Sequence, residues 1–170
     1  LYDGELHYLD QQIGKLTQFL QIAGLLDETM LVITADHGDC LGEHNQIGHR
    51  MALCEPLLHV PMIIRHPTYF QAGARVSTQV SLIDLYPTCL ELAGATLPAA
   101  DPYDFHSLLG APDAARSYVF AENTAPRSMN SMLSRAVRTP RYKYIWNSNQ
   151  AHELYDLVND PQETVNLIYD

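Results

Sequence analysis

The sequence predicts an α/β fold in which a largely parallel sheet is flanked by helices and followed by a small antiparallel sheet. Three observations lead to this prediction. A helical pattern precedes a short apolar run at residues 30–33, a second such run follows at residues 60–65, and the last third of the chain contains short alternating segments between turn signals. Helix-then-strand units pack into parallel sheets, whereas alternation is typical of antiparallel hairpins.

The first helix is predicted over residues 3–24, where apolar residues recur at helical spacing. Asp3 suits the N-cap, and Gly24 suits the position after the last turn. The helix leads into the first strand at residues 30–33. Four consecutive apolar residues there predict a strand that is buried on both faces.

A polar loop leaves the carboxyl end of this strand and begins Ala35-Asp36-His37-Gly38-Asp39. Ligands of open α/β sheets gather beyond the carboxyl ends of the strands, so Asp36 and His37 are candidate metal ligands. In a regular strand their side chains would point to opposite faces, but Gly38 allows a sharp turn that brings both toward one ion. The alternative is that Asp36 caps a turn and His37 is an ordinary loop residue.

This loop extends to about residue 55 and is long enough to indicate function. A second buried strand is predicted after it, over residues 60–65. A second helix is predicted from residue 81. It begins properly near Leu85, because Pro87 is tolerated only in a first turn. The Pro- and Gly-containing stretch at residues 95–112 predicts a boundary between two domains, residues 1–112 and residues 113–170.

The second domain is predicted to be the small antiparallel sheet. Its strands are expected at residues 117–122, 132–138, 142–147 and 154–156, with a polar loop running to residue 131. Thr139-Pro140-Arg141 is expected to form the turn of a hairpin between the second and third of these strands.

Charge and cysteine content exclude several classes of function. The 170 residues include 10 Lys and Arg against 20 Asp and Glu, giving a formal charge of −10, and no basic cluster, so nucleic acid is not an expected partner. No apolar run is long enough to span a membrane. Cys40, Cys54 and Cys89 are too few and too widely spaced for a zinc ribbon or a disulfide framework, and we expect them to be reduced.

Several motifs follow one another along nearly the whole chain. They are Asp36-His37-Gly38, Leu41-Gly42-Glu43-His44, Val60-Pro61-Met62-Ile63-Ile64-Arg65, Ser81-Leu82-Ile83-Asp84-Leu85-Tyr86-Pro87-Thr88, Val137-Arg138-Thr139-Pro140-Arg141-Tyr142-Lys143-Tyr144 and Glu153-Leu154-Tyr155-Asp156-Leu157. In this order and spacing the chain resembles the sulfatase family of the alkaline phosphatase superfamily. The resemblance implies an alkaline-phosphatase-like α/β fold, a small C-terminal subdomain and hydrolysis of sulfuric esters.

The resemblance also implies a divalent metal ion, most often calcium in this family and sometimes magnesium or manganese. Carried onto this sequence, two of its ligands are Asp36 and His37. The imidazole nitrogen is less typical of calcium and more compatible with manganese or zinc.

His49 occupies, in the pair Gly48-His49, the position at which the resemblance places a cationic side chain on the sulfate group. It is expected to donate a hydrogen bond to the ester and to act as a general acid, since imidazole suits proton transfer near neutral pH. The alternative is an ordinary loop histidine. Glu43 and His44 are expected to hold the loop rather than to contact substrate.

The nucleophile is not expected within this sequence. Sulfatases form a formylglycine from Cys or Ser in a C/S-x-P/A-x-R motif near the N-terminus, and none of the three cysteines has that context. The chain therefore resembles the C-terminal portion of a sulfatase, with half of the metal site, and is expected to be inactive alone. The remainder of the same polypeptide is expected to complete the site.

The expected substrate is a small-molecule or glycan sulfate ester. Two alternatives stay open: a phosphonate monoester or phosphodiester hydrolase of the same superfamily, and a non-catalytic binding domain derived from the fold.

Overall fold

The computed structural model of the protein describes residues 1–49, 52–96, 104–109, 116–124 and 133–169. The helices are α1 (Tyr2–Ile22), α2 (Glu55–Leu58) and α3 (Leu85–Leu92). The strands are β1 (Leu31–Thr34), β2 (Cys40–Leu41), β3 (Ile47–Gly48), β4 (Met62–Arg65), β5 (Val119–Asn123), β6 (Ser134–Arg138), β7 (Tyr142–Asn147) and β8 (Glu153–Asp156). Short 3₁₀ turns lie at Glu43–Asn45, Leu82–Asp84 and Leu167–Tyr169.

These residues form two compact units. The first comprises Leu1–Ile33 and Met62–Ala74, and the second comprises Thr34–Pro61 and Arg75–Asp170. The loop that follows β1 thus belongs to the same unit as the C-terminal strands. The domain boundary predicted at residue 112, and most of the Pro- and Gly-containing stretch before it, lie outside the described residues, so that boundary stays a prediction.

In the first unit, α1 confirms the predicted helix but not its predicted N-cap. The helix begins at Tyr2, directly after Leu1, so Asp3 lies inside the first turn. There its negative charge is favourable beside the partial positive charge of the helix end. Gly24 has φ +70, the left-handed conformation expected after a last helical turn.

The apolar stripe of α1 is not buried by the residues that the structure describes. Leu6, Leu9 and Leu16 are 51%, 52% and 49% exposed. The packing face predicted from the helical periodicity is therefore present in the sequence, but the described ranges cover it only in part, at Ile13 and Leu20. No described helix has both the length and the apolar character that crossing a membrane requires.

The two predicted apolar strands share one sheet, because β1 is hydrogen-bonded to β4. Strand β4 begins at Met62 rather than at residue 60, since Pro61 has no N–H to give to a ladder. Burial of β1 on both faces is a wrong prediction for the described residues. Its three apolar residues are half-buried and Thr34 is exposed.

In the second unit, the predicted antiparallel sheet is confirmed, with strand order β5-β6-β7-β8. The predicted hairpin is present: Arg138 pairs with Lys143 across the turn, and the Thr139 hydroxyl accepts the Tyr142 N–H at 2.8 Å. The polar loop and residue 132, where the second strand was predicted to start, lie outside the described residues.

The sheet packs around a small apolar core. Its buried residues are Leu53, Ala136, Ile145, Tyr155 and Leu157. Leu53 comes from the segment after β1, so this segment shares a core with the C-terminal sheet.

The second predicted helix is present as a 3₁₀ turn that continues into α3. Ser81 and Asp84 form a capping box, in which the Ser81 N–H donates to Asp84 Oδ2 at 2.8 Å. Pro87 lies in the first turn of α3, as predicted. Asp84 also forms a buried ion pair with Arg116 at 2.5 Å, which gives this carboxylate a structural role.

The core position Ile145 provides a test of this arrangement. It is 3% exposed, so Ile145→Ala is expected to lower the free energy of unfolding by about 2–5 kcal/mol through lost burial and a residual cavity. Phe120→Ala, on the same sheet at 73% exposure, is the matched control and should cost below about 1 kcal/mol. Urea denaturation followed by circular dichroism measures both, and equal losses would contradict the described core.

Candidate functional site

Asp36 and His37 lie next to each other in the loop after β1, and solvent reaches both. Asp36 Oδ1 accepts the His37 N–H at 3.0 Å, while Asp36 Oδ2 lies 3.8 Å from His37 Nε2. The side chains are 91% and 47% exposed. One carboxylate oxygen and one imidazole nitrogen thus face the same small volume, as two ligands of one ion would.

The tautomer of His37 follows from its neighbour. His37 Nδ1 lies 3.0 Å from the carbonyl oxygen of Gly38. A carbonyl can only accept, so Nδ1 carries the hydrogen and the neutral ring keeps its lone pair on Nε2. Metal-binding histidines typically have their other N–H held in this way. The donor set of this pair therefore fits a divalent cation.

His49 lies beside this pair. Its ring centroid is 4.4 Å from that of His37, and its Nδ1 lies 2.9 Å from Asp39 Oδ1. The side chain is 62% exposed. The structure thus brings together the three residues singled out from the sequence and adds Asp39, for which no role was predicted.

Asp39 meets His49 because a short hairpin joins them. Strands β2 and β3 are antiparallel, with Cys40 opposite Gly48, so the residues just outside this ladder, Asp39 and His49, face each other. The sequence predicted only a loop here. Two-residue strands leave too little alternation to be recognised, but an acidic residue and a His at mirrored distances from the turn were the available signal.

The turn of this hairpin is held by Glu43 and His44. The Glu43 side chain accepts the Leu41 N–H, and hydrogen bonds from backbone N–H groups hold the pKa of this carboxyl below its usual value. His44 adopts left-handed backbone with φ +51. Both residues have the loop-holding role expected from the sequence.

Gly38 is required by a close approach of α2. Its N–H donates to the Leu57 carbonyl at 2.9 Å, and a Cβ at this position would lie 2.0 Å from the Pro56 carbonyl oxygen. Position 38 therefore requires glycine, because the α2 backbone leaves no room for a side chain there.

A buried ion cluster anchors α2 to the C-terminal part of the unit. We define it as Glu55, Arg138, Lys143 and Glu163. Lys143 and Glu163 form an ion pair with both side chains fully buried, and Lys143 Nζ lies 3.2 Å from Glu55 Oε1. Arg138 Nε donates to Glu55 Oε1 at 3.0 Å, and the Glu55 N–H donates to Glu163 Oε2 at 2.7 Å.

The cluster pairs two cationic side chains with two carboxylates. Burial by itself raises the pKa of Glu55, but the hydrogen bond from Arg138 and the charge of Lys143 bring it below its usual value. Glu55 is the first residue of α2, so the cluster fixes the helix whose backbone contacts Gly38. His44 Nε2 lies 3.7 Å from Glu163 Oε2, which brings the turn of the β2–β3 hairpin to the same cluster.

No three His, Cys, Asp or Glu side chains within the described ranges are arranged to hold one metal ion. Asp36 and His37 therefore offer two donors and leave the remaining coordination positions open.

Gly38 gives a direct test of the contact with α2. Gly38→Ala is expected to lower the free energy of unfolding by at least about 2 kcal/mol, because the new methyl group forces α2 away and weakens the bond to Leu57. The control is Gly14→Ala in α1, where a Cβ meets nothing within 4 Å and helix propensity predicts a gain of up to about 1 kcal/mol. Urea denaturation compares the two, and a neutral Gly38→Ala would refute the contact.

The buried ion cluster gives a second test. Lys143→Met is expected to cost about 3–5 kcal/mol, because it leaves Glu163 buried without its cation and leaves Glu55 with Arg138 alone. Arg135→Met, which removes an exposed pair with Glu122 on the same sheet, should cost below about 1 kcal/mol. The double variant Lys143→Met/Glu163→Gln should recover part of the loss. Thermal and urea denaturation measure all three, and similar values for the two single variants would contradict the cluster's role.

Comparison with known proteins identifies the family of this chain. The profile of the family described as Sulfatase matches residues 1–95. Arylsulfatase K of Bos taurus is 34% identical over 93% of this chain and 31% of its own length. The chain thus spans about a third of the length of the curated relatives it matches.

Two solved structures are similar to the described fold. BT4656, in complex with its substrate D-glucosamine-2-N,6-O-disulfate, is 30% identical with a TM-score of 0.85, covering 95% of this chain and 34% of that one. The phosphonate monoester hydrolase of Agrobacterium radiobacter is 28% identical with a TM-score of 0.82, covering 95% of this chain and 35% of that one. The family profile covers more than half of the residues of this chain, and the chain therefore belongs to the sulfatase family.

Proposed function

We propose that this chain forms part of a metal-dependent sulfuric ester hydrolase and carries half of its metal site. The observation that supports this most strongly is the grouping of Asp36, His37 and His49 within one loop segment of a sulfatase-family chain. The proposed fold around them is alkaline-phosphatase-like, with β1 and β4 parallel and a domain boundary near residue 112.

Asp36 and His37 are the proposed metal ligands. Asp36 Oδ2 and His37 Nε2 supply one oxygen and one nitrogen donor, and the Gly38 carbonyl fixes the tautomer that leaves the nitrogen free. A bound divalent cation supplies positive charge that balances the charge of a sulfate group. Calcium is the metal expected from the family, and the imidazole donor makes manganese or zinc compatible.

His49 is the proposed proton donor. Asp39 accepts the Nδ1 hydrogen of His49 and so orients the ring, which leaves Nε2 to face the ester. When the ring is protonated, Nε2–H can donate a hydrogen bond or a proton to the departing oxygen of the ester. Asp39 then acts as a positioning residue for His49.

The proposed nucleophile and the remaining metal ligands come from a segment outside these 170 residues. No cysteine of this chain lies in the family's formylglycine context, and Ser134, whose Ser134-Arg135-Ala136-Val137-Arg138 spacing fits that motif, is buried in β6 far from the start of the chain. The curated relatives are about three times as long as the matched part. The 170 residues alone are therefore proposed to lack turnover, because they offer ligands without covalent chemistry.

A sulfate ester of a sugar or another small molecule is the proposed substrate. BT4656 binds a sulfated amino sugar, which supports this class. With a formal charge of −10, this chain offers no general attraction for an anion, so the substrate depends on local positive charge at the site.

Phosphonate monoester hydrolysis is a second candidate. The TM-score of 0.82 to a phosphonate monoester hydrolase supports it, because both reactions need the same in-line arrangement and charge neutralisation. A non-catalytic binding domain is the third possibility and differs from both by lacking any nucleophile.

The test uses a polypeptide of the relatives' length that contains this segment. His37→Ala is expected to lower kcat/KM for 4-nitrophenyl sulfate by at least about 100-fold through weaker metal binding. His49→Gln is expected to cost about 100-fold or more, with a greater loss for phenyl sulfate, whose leaving group needs a proton more. His7→Ala, on an exposed face of α1, is the control and should leave the rate unchanged.

Two outcomes separate the candidates, and a third tests the role of His49. Faster cleavage of an aryl phosphonate monoester than of the sulfate would favour the second candidate. No hydrolysis of either ester by the metal-loaded polypeptide would favour a binding domain. An equal loss for both sulfates in His49→Gln would remove the general-acid role of His49.

A further inference from the structure

Two buried cysteines lie against each other beneath the candidate site. Cys40 Sγ is 3.4 Å from Cys54 Sγ, although the residues are 14 positions apart. They are 0% and 5% exposed, and with Leu57 they form a small buried cluster. Both are free thiols.

The pair brackets the segment that carries His49. Cys40 is the first residue of β2 and directly follows Asp39, the partner of His49. Cys54 is the N-cap residue of α2 and directly precedes Glu55 of the buried ion cluster. His49 lies between the two cysteines, so a bond between the sulfurs would turn its loop into a closed ring.

We propose that Cys40 and Cys54 are a modification site that oxidises to an intramolecular disulfide and covalently closes this loop. The inference does not depend on the proposed hydrolase activity. A disulfide needs its sulfurs at about 2.05 Å, so the observed pair must close by about 1.4 Å, and buried neighbours already hold the thiols face to face.

The oxidant is a low-molecular-weight disulfide such as oxidised glutathione. The thiolate of one cysteine attacks it, which forms a mixed disulfide and releases one glutathione thiol. The thiolate of the second cysteine then attacks the protein sulfur of the mixed disulfide and releases the other. Two protein thiols lose two electrons and two protons in all, and the small disulfide becomes two thiols.

The rate of this reaction depends on opening of the loop. Burial raises the pKa of the Cys54 thiol to about 12, so this sulfur is not a ready nucleophile while the loop is closed. We therefore expect slow oxidation of the native protein and rapid closure during refolding, when both sulfurs are accessible.

Cys89 is exposed and is removed first by Cys89→Ser, so that two thiols remain. This protein is incubated with oxidised glutathione, both in the native state and during refolding from urea. We expect loss of both alkylatable thiols, a mass decrease of about 2 Da without a glutathione adduct, and reversal by dithiothreitol. The closed loop should raise Tm by about 5–10 °C and slow amide exchange between Leu41 and Gly48.

Cys54→Ser in the same background is the matched control. It should bind one glutathione on Cys40 and gain no Tm. The proposal is overturned if refolding in oxidised glutathione leaves two free thiols or two glutathione adducts. Both sulfurs are accessible during refolding, so burial could not explain the missing disulfide. It is also overturned if the linked protein melts below the reduced one, since the native spacing would then not suit the bond. Loss of ester hydrolysis in the longer polypeptide has no bearing on these readouts.

Discussion

The buried ammonium group of Lys143 is the constraint on which the second unit depends. A fully buried cation is costly unless carboxylates surround it, and here Glu55 and Glu163 do so. These three residues come from α2, β7 and the segment after β8, so none of these parts can shift without leaving a charge unpaired. A well-packed apolar replacement could be equally stable, but it would not demand this one arrangement. The cluster is therefore a candidate determinant of the specificity of the fold.

The candidate site takes its geometry from this cluster in two steps. Glu55 holds α2, and the carbonyl groups of α2 meet Gly38, which places the neighbouring Asp36 and His37. The β2–β3 hairpin then sets Asp39 opposite His49. The candidate functional side chains thus lie on loops, while α2 and the β2–β3 hairpin hold the backbone that carries them. A rigid scaffold commonly presents reactive groups in this way.

Local patterns in the sequence predicted most elements, but the contacts between distant segments were beyond them. Helix α1 and the hairpin of β6 and β7 follow from periodicity and turn residues. The candidate role of His49 followed only from the resemblance to sulfatases. The ion cluster joins positions 88 and 108 residues apart. In β7 the apolar alternation also misleads: Lys143, Ile145 and Asn147 are the buried residues, whereas the aromatic residues between them are only partly covered. A polar residue that is buried by pairing cannot be recognised without its partner.

Asp36 and His37, the proposed metal ligands, are exposed, and this sets what a complete site must add. Charge stabilisation in a hydrolase depends on donors held in a water-poor, low-dielectric pocket, and Asp36 is 91% exposed here. Two donors also leave a divalent cation with most of its coordination filled by water. A segment that supplied further ligands and a nucleophile would have to cover this same loop, and would thereby remove the water. Ligand completion and desolvation are therefore one structural event at this site, because both require the same surface of Asp36 and His37 to be covered.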